Sequence, residues 1–98
     1  MSPSSERTVR LPADLHARPA GQISLAAARF ASKVAIEWAG RAIDARSVLL
    51  VMSLGATKDS DVTVRAEGQD ASQAVDTLAG MLEALTPMEA APGPASSG

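Results

Sequence analysis

A chain of 98 residues with a net charge of −2, no cysteine, no tyrosine, one tryptophan and one phenylalanine holds one domain with a modest core. The missing cysteines exclude disulfides, thiolate chemistry and cysteine–zinc clusters, and the acidic, aromatic-poor composition argues against nucleic acid, whose binders need a basic field and stacking platforms. No apolar run approaches the roughly 20 residues of a membrane span and the opening MSPSSER has no hydrophobic signal core, so a soluble, cytoplasmic protein without membrane insertion is expected.

Residues 1–5 (MSPSS) and 87–98 (PMEAAPGPASSG) are rich in Pro, Ser, Gly and Ala. They have little to offset the entropy of ordering and read as disordered ends of a domain spanning 6–86. Residues 7–11 (RTVRL) alternate polar and apolar, with Val9 and Leu11 on one face, which predicts a strand. Over 17–30, Ala20, Ile23, Ala27 and Phe30 recur at three- and four-residue spacing, a helical stripe. KVAIEWA then places Val34, Ile36 and Trp38 on one face of a strand and Lys33 and Glu37 on the other. Ala39-Gly40 turns the chain into RAIDA, its hairpin partner.

SVLLVMSLG (47–55) opens on an N-cap residue and closes on glycine, the two ends of a short helix, with a buried strand as its rival. DVTVRAEG points Val62, Val64 and Ala66 inward as another strand. Asp70 with Gln73 three residues later resembles a capping box. It opens a helix whose apolar stripe is Ala71, Val75, Leu78, Leu82 and Leu85. Gly80 within that helix costs about 1 kcal/mol relative to alanine, tolerable where it allows close packing. The order β-α-β-β-α-β-α with short loops predicts an α+β two-layer open-faced sandwich, a four-stranded antiparallel sheet with three helices on one face. A ferredoxin-like arrangement fits the same periodicity.

The only histidine, His16, stands in DLHARPAGQ. Proline has no N–H and is tolerated in a helix only in its first turn. With Pro19 at the third helical position, Ala17 is the first and His16 the N-cap. An imidazole there sits over unpaired N–H groups and the positive end of the helix dipole, which favours its neutral, nucleophilic form and offers a cradle for an anion. Arg18 adds a planar donor fork suited to phosphate. The plain alternative is a solvated surface histidine beside a solvated arginine. Under the phosphate reading His16 is expected exposed at the helix start.

LHARPAGQ resembles the active-site segment of the HPr family, the histidine-containing phosphocarriers of the bacterial sugar phosphotransferase system. ARSVLLVMSLGA (45–56) resembles that family's regulatory-serine helix, and the likeness spans about residues 6–86. It implies that His16 accepts a phosphoryl group through Nδ1 from enzyme I, itself charged by phosphoenolpyruvate, and passes it to enzyme IIA components. It also implies that Arg18 stabilises the phosphohistidine and that Ser47 is the serine a dedicated HPr kinase/phosphorylase modifies. Ser47 has a second explanation as an ordinary N-cap worth about 1 kcal/mol. Ala17, Gly21, Leu25, Val48, Leu49 and Met52 form the expected docking surface, rimmed by Arg18 and Arg46, while Leu50, Val51 and Leu54 are expected to pack inward. No cofactor or metal is implied, and a monomer is expected.

The chain departs from the family pattern at three places. Asp14 stands where glycine is common, and Leu25 and Ala28 stand where relatives carry basic residues, with Arg29 close by. Two further readings belong to the same chemistry or the same fold: a carrier in a nitrogen-type or dihydroxyacetone-kinase relay, and a regulatory binding module acting through Ser47. A hydrolase with His16 as general base lacks a nucleophile-elbow Gly-x-Ser-x-Gly and room for a substrate cleft.

Overall fold

Alternating burial builds the strands and a three-to-four-residue repeat builds the helices. The computed structural model describes residues 3–87. In chain order it contains β1 (Ser4–Arg10), α1 (Ala17–Ala27), β2 (Lys33–Trp38), β3 (Arg41–Asp44), α2 (Val48–Ser53), β4 (Asp61–Glu67) and α3 (Ala71–Glu83). The sheet order is β1-β4-β2-β3, and every neighbouring pair is antiparallel. β1 lies at one edge beside β4, and β4 rather than β3 adjoins β2 on the inside, whereas a ferredoxin-like sheet pairs β1 with β3 at its centre. Strand order therefore decides for the open-faced sandwich over the ferredoxin-like alternative.

Register carries the apolar rows across the sheet: Val9 faces Val62, and Ile36 faces both Ile43 and Val64. All five are buried, together with Ala20, Ile23 and Ala27 of α1 and Val75, Leu78 and Leu82 of α3. α3 lies over β1, β4 and β2, α1 packs on α2 and α3, and α2 rests on β3. The opposite face of the sheet is polar, with Arg65 bridging Glu6 at 3.0 Å and Glu37 at 2.7 Å. The Ala39-Gly40 turn has both residues at positive φ (53° and 80°), the primed geometry that suits a two-residue hairpin.

Five expectations need correction. β1 starts at Ser4, so Ser4 and Ser5 are not part of a disordered leader. They pair with Glu67 and Ala66, and backbone bonding to a neighbouring strand orders them without side-chain burial. α1 ends at Ala27, where Arg29 N–H and Phe30 N–H turn back three residues to the carbonyls of Ala26 and Ala27. Phe30 still packs against the core from outside the helix. Asp70 N-caps α3 without a capping box: its carboxylate instead accepts hydrogen bonds from Ala31 N–H, Ser32 N–H and the Ser32 hydroxyl.

That clasp brings the chain so close that a Cβ on Gly68 (φ 147°) would sit 2.5 Å from Ser32 Oγ. Gly80, by contrast, has open space beside it and serves no close approach. Leu50 is 41% exposed, whereas Val51 and Leu54 are buried. A helix of six residues turns only one narrow stripe inward, and Leu50 lies on its flank. The expectation for 88–98 lies outside the described residues.

Candidate functional site

The segment after β1 delivers His16 by alternation. Leu11, Ala13 and Leu15 are buried while Pro12 and Asp14 face water. His16 follows with extended backbone (φ −99°, ψ −175°) as the N-cap of α1, and its carbonyl accepts the first helical bond from Ala20 N–H at 3.1 Å. No side chain caps this end and the first turn holds no acidic residue. The first-turn N–H groups and the helix dipole therefore stand open to an anion. Pro19 occupies the third helical position and forfeits no bond there. Asp14 does not adopt a positive φ, so the departure from glycine costs no left-handed strain.

His16 is half-buried rather than exposed. The end of α3 explains it: Met81, Leu85 and Thr86 close a pocket of about 260 Å³ with His16, Arg18 and Gln22. The ring Nε2 lies 3.5 Å from the Thr86 carbonyl, and Nδ1 is buried with no hydrogen-bond partner. A carbonyl can only accept, so this contact suits the neutral tautomer with its proton on Nε2, in which the Nδ1 lone pair is uncommitted. Arg18 is exposed and makes no ion pair among the described residues. One pocket at the open start of α1 thus joins an unpartnered imidazole nitrogen and an uncommitted guanidinium.

Sequence reasoning found His16, Arg18 and Pro19 but not Gln22, Met81 or Thr86. Gln22 carried a local signal, one helical turn beyond Arg18 on the same face. Thr86 carried none, because only the tertiary fold brings it to His16.

Ser47 caps α2, its Oγ accepting Leu50 N–H at 3.2 Å. It does not line the His16 pocket. Arg46 beside it is committed to Asp44, whose Oδ1 accepts Arg46 N–H at 2.9 Å. That backbone bond and then the Arg46 guanidinium hold the Asp44 carboxyl below its usual range. Ala17, Gly21 and Leu25 share one face of α1 at four-residue spacing. The exposed large apolar side chains among the described residues are Leu25, Val48, Leu49, Leu50 and Met52, all on the two adjacent helices α1 and α2. Ala28 and Arg29 are also exposed.

A larger hollow of about 630 Å³ lies on the uncovered face of the sheet, near Lys33, Asp44, Arg46 and Arg65. Its arginines are already paired with carboxylates, which makes it a poor anion site. No described helix is long and apolar enough to cross a membrane, and no described cluster of His, Asp or Glu has metal-binding geometry.

Comparison with known proteins agrees with this arrangement. Residues 3–84 match the family described as PTS HPr component phosphorylation site. The phosphocarrier protein HPr of Bacillus anthracis is 33% identical, aligned over 81% of this chain and 96% of its own, with a TM-score of 0.76. HPr of Thermoanaerobacter tengcongensis is 32% identical over 81% and 91%, with a TM-score of 0.74. Crh, the Bacillus subtilis catabolite repression protein solved as a swapped dimer, is 38% identical over 80% and 92%, with a TM-score of 0.68.

Proposed function

The chain belongs to the HPr family of phosphocarrier proteins, and on that premise we propose that it carries a phosphoryl group on Nδ1 of His16. The group arrives from phosphorylated enzyme I and leaves for the histidine of an enzyme IIA component, in sugar uptake. The observation that supports this most is the unpartnered Nδ1 at the open start of α1, in one pocket with Arg18.

Nδ1 is covered in the resting protein, so acceptance begins with the ring swinging outward, resisted by the long 3.5 Å contact to Thr86. The Nδ1 lone pair then forms the new N–P bond as the donor's P–N bond breaks and its electron pair returns to the donor imidazole. Nε2 keeps its proton throughout. The phosphoryl oxygens gain the first-turn N–H groups, already oriented by the helix start, and the Arg18 guanidinium, which is free to turn toward them. Onward transfer reverses these steps. The protein is a carrier and not an enzyme proper, acting from the cytoplasm of a bacterium.

The exposed apolar side chains on α1 and α2 suit a transient protein interface. Leu25 and Ala28 in place of basic residues weaken its attraction for acidic partners, which selects among enzyme IIA components or directs the group to a nitrogen-type or dihydroxyacetone-kinase relay. Incubation with enzyme I and labelled phosphoenolpyruvate tests the carrier. An acid-labile label that disappears in His16→Ala supports it; no label from several enzyme I proteins sinks it.

A second reading, regulation through Ser47 by an HPr kinase/phosphorylase, rests on the half-buried N-cap position of that hydroxyl. Added phosphate there faces a helix start and leaves the cap in place. Failure of such a kinase to modify the protein with ATP removes this reading. A monomer is the form proposed for transfer, with the swapped Crh relative as the contrast that a sedimentation measurement decides.

A further inference from the structure

Asp14 has a role that glycine could not fill. Residues 11–15 are laced to the turn at 56–60, which leads from α2 to β4. Three of the links are backbone bonds: Leu11 N–H to the Ser60 carbonyl at 2.9 Å, Asp59 N–H to the Leu11 carbonyl at 2.8 Å, and Leu15 N–H to the Ala56 carbonyl at 3.1 Å. One side chain joins them among the described residues. The Asp14 carboxylate accepts Lys58 N–H at 2.8 Å, while the Asp14 carbonyl accepts His16 N–H at 3.1 Å. The latter bond closes a three-residue turn centred on Leu15. Asp14 therefore grips the 56–60 turn with its side chain and the His16 N–H with its backbone. Glycine could make only the second bond.

We propose that Asp14 is a positioning residue for His16: through Lys58 N–H it ties the turn that presents the imidazole to the segment leaving α2. The kinetic consequence rests on the phosphocarrier reading; the tie itself does not. A carboxylate accepting an N–H makes a stronger bond than a neutral acceptor does. Phosphoryl transfer is mainly a matter of positioning, so small shifts in the ring translate into rate. The link ends on Lys58, in the turn that follows the helix carrying Leu49.

Asp14 is exposed, so substitution there spares the core. Asp14→Ala removes the acceptor, and Asp14→Asn keeps an oxygen of the same reach without the charge. With enzyme I and labelled phosphoenolpyruvate, Asp14→Ala is expected to lower kcat for acceptance about fivefold with KM unchanged, and Asp14→Asn to stay within about twofold of the wild type. Amide hydrogen exchange at Lys58 should accelerate strongly in Asp14→Ala and only slightly in Asp14→Asn, and the ¹⁵N shifts of the His16 ring should move with it. Wild-type rate and Lys58 exchange in Asp14→Ala overturn the proposal, as does an Asp14→Asn variant that falls as far as Asp14→Ala. A wild-type chain that takes no label defeats the phosphocarrier reading instead. The exchange and ring-shift measurements then decide the tie alone, and an unmoved His16 ring in Asp14→Ala overturns it.

Discussion

The Nε2 atom of His16 and the carbonyl oxygen of Thr86 stand 3.5 Å apart although 70 residues separate them in the chain. The contact makes the segment that follows α3 part of the site and suits one tautomer of the neutral ring. Long-range ¹H–¹⁵N spectra of the neutral ring should show Nε2 protonated and Nδ1 bare. A ring found mainly in the Nδ1–H form would remove the Thr86 carbonyl from the account of nucleophile activation.

Arg18 should matter to chemistry and hardly at all to stability. It is exposed and without an ion pair among the described residues, so Arg18→Ala should change the unfolding free energy by less than about 0.5 kcal/mol. Loss of the charged donor beside His16 should slow phosphoryl transfer about tenfold or more. Arg18→Lys should recover only part of that, because an ammonium lacks the planar fork. Stopped transfer assays and urea unfolding read the two effects separately. An Arg18→Ala variant with wild-type transfer rates would leave the helix start as the whole phosphate site.

Two neighbours on α2 should divide interface from core. Leu49 is 77% exposed and Val51 is fully buried. Leu49→Asp should weaken binding to phosphorylated enzyme I about tenfold at nearly unchanged stability. Val51→Ala should cost about 2 kcal/mol of stability through lost transfer energy and a residual cavity, with affinity kept. Titration calorimetry and denaturant melts distinguish them. Equal affinity in Leu49→Asp would move the docking surface off α2.

The sheet was legible in the sequence because period-two burial is a local signal: Val34 and Ile36, or Val62 and Val64, announce their face without reference to any other strand. The start of α1 was legible for a similar reason, since Pro19 fixes where the helix begins and so what His16 must be. What stayed hidden was held by distant or backbone partners. Ser4 and Ser5 are ordered by pairing to β4, which polar side chains do not advertise. Leu50 lay beyond periodicity because a six-residue helix is too short to define its stripe. Asp70 looked like one end of a capping box, but its partners lie on the far side of the loop that follows α1, 38 and 39 residues away.

That Asp70 clasp gives the protein an acid-sensitive contribution to stability with a definite sign. The Ser32 hydroxyl, then the Ala31 N–H, with the Ser32 N–H adding to them, hold the Asp70 carboxyl below its ordinary value of 3.8. A carboxyl with a lower pKa in the folded state binds fewer protons there than in the unfolded chain. Its contribution is therefore complete above the ordinary aspartate value and is lost as the pH falls through the lower folded one. Asp70→Ala should be less stable than the wild type at neutral pH, since Ala31 and Ser32 lose their acceptor. The gap should narrow as unfolding is followed in urea from neutral pH down to about pH 2. Asp70→Asn, which keeps an acceptor oxygen but no charge, should fall between the two and show a flatter pH dependence than the wild type. A gap between wild type and Asp70→Ala that stays constant throughout acidification would mean that ionisation of the carboxyl contributes nothing, and that its protonated form holds the loop after α1 equally well.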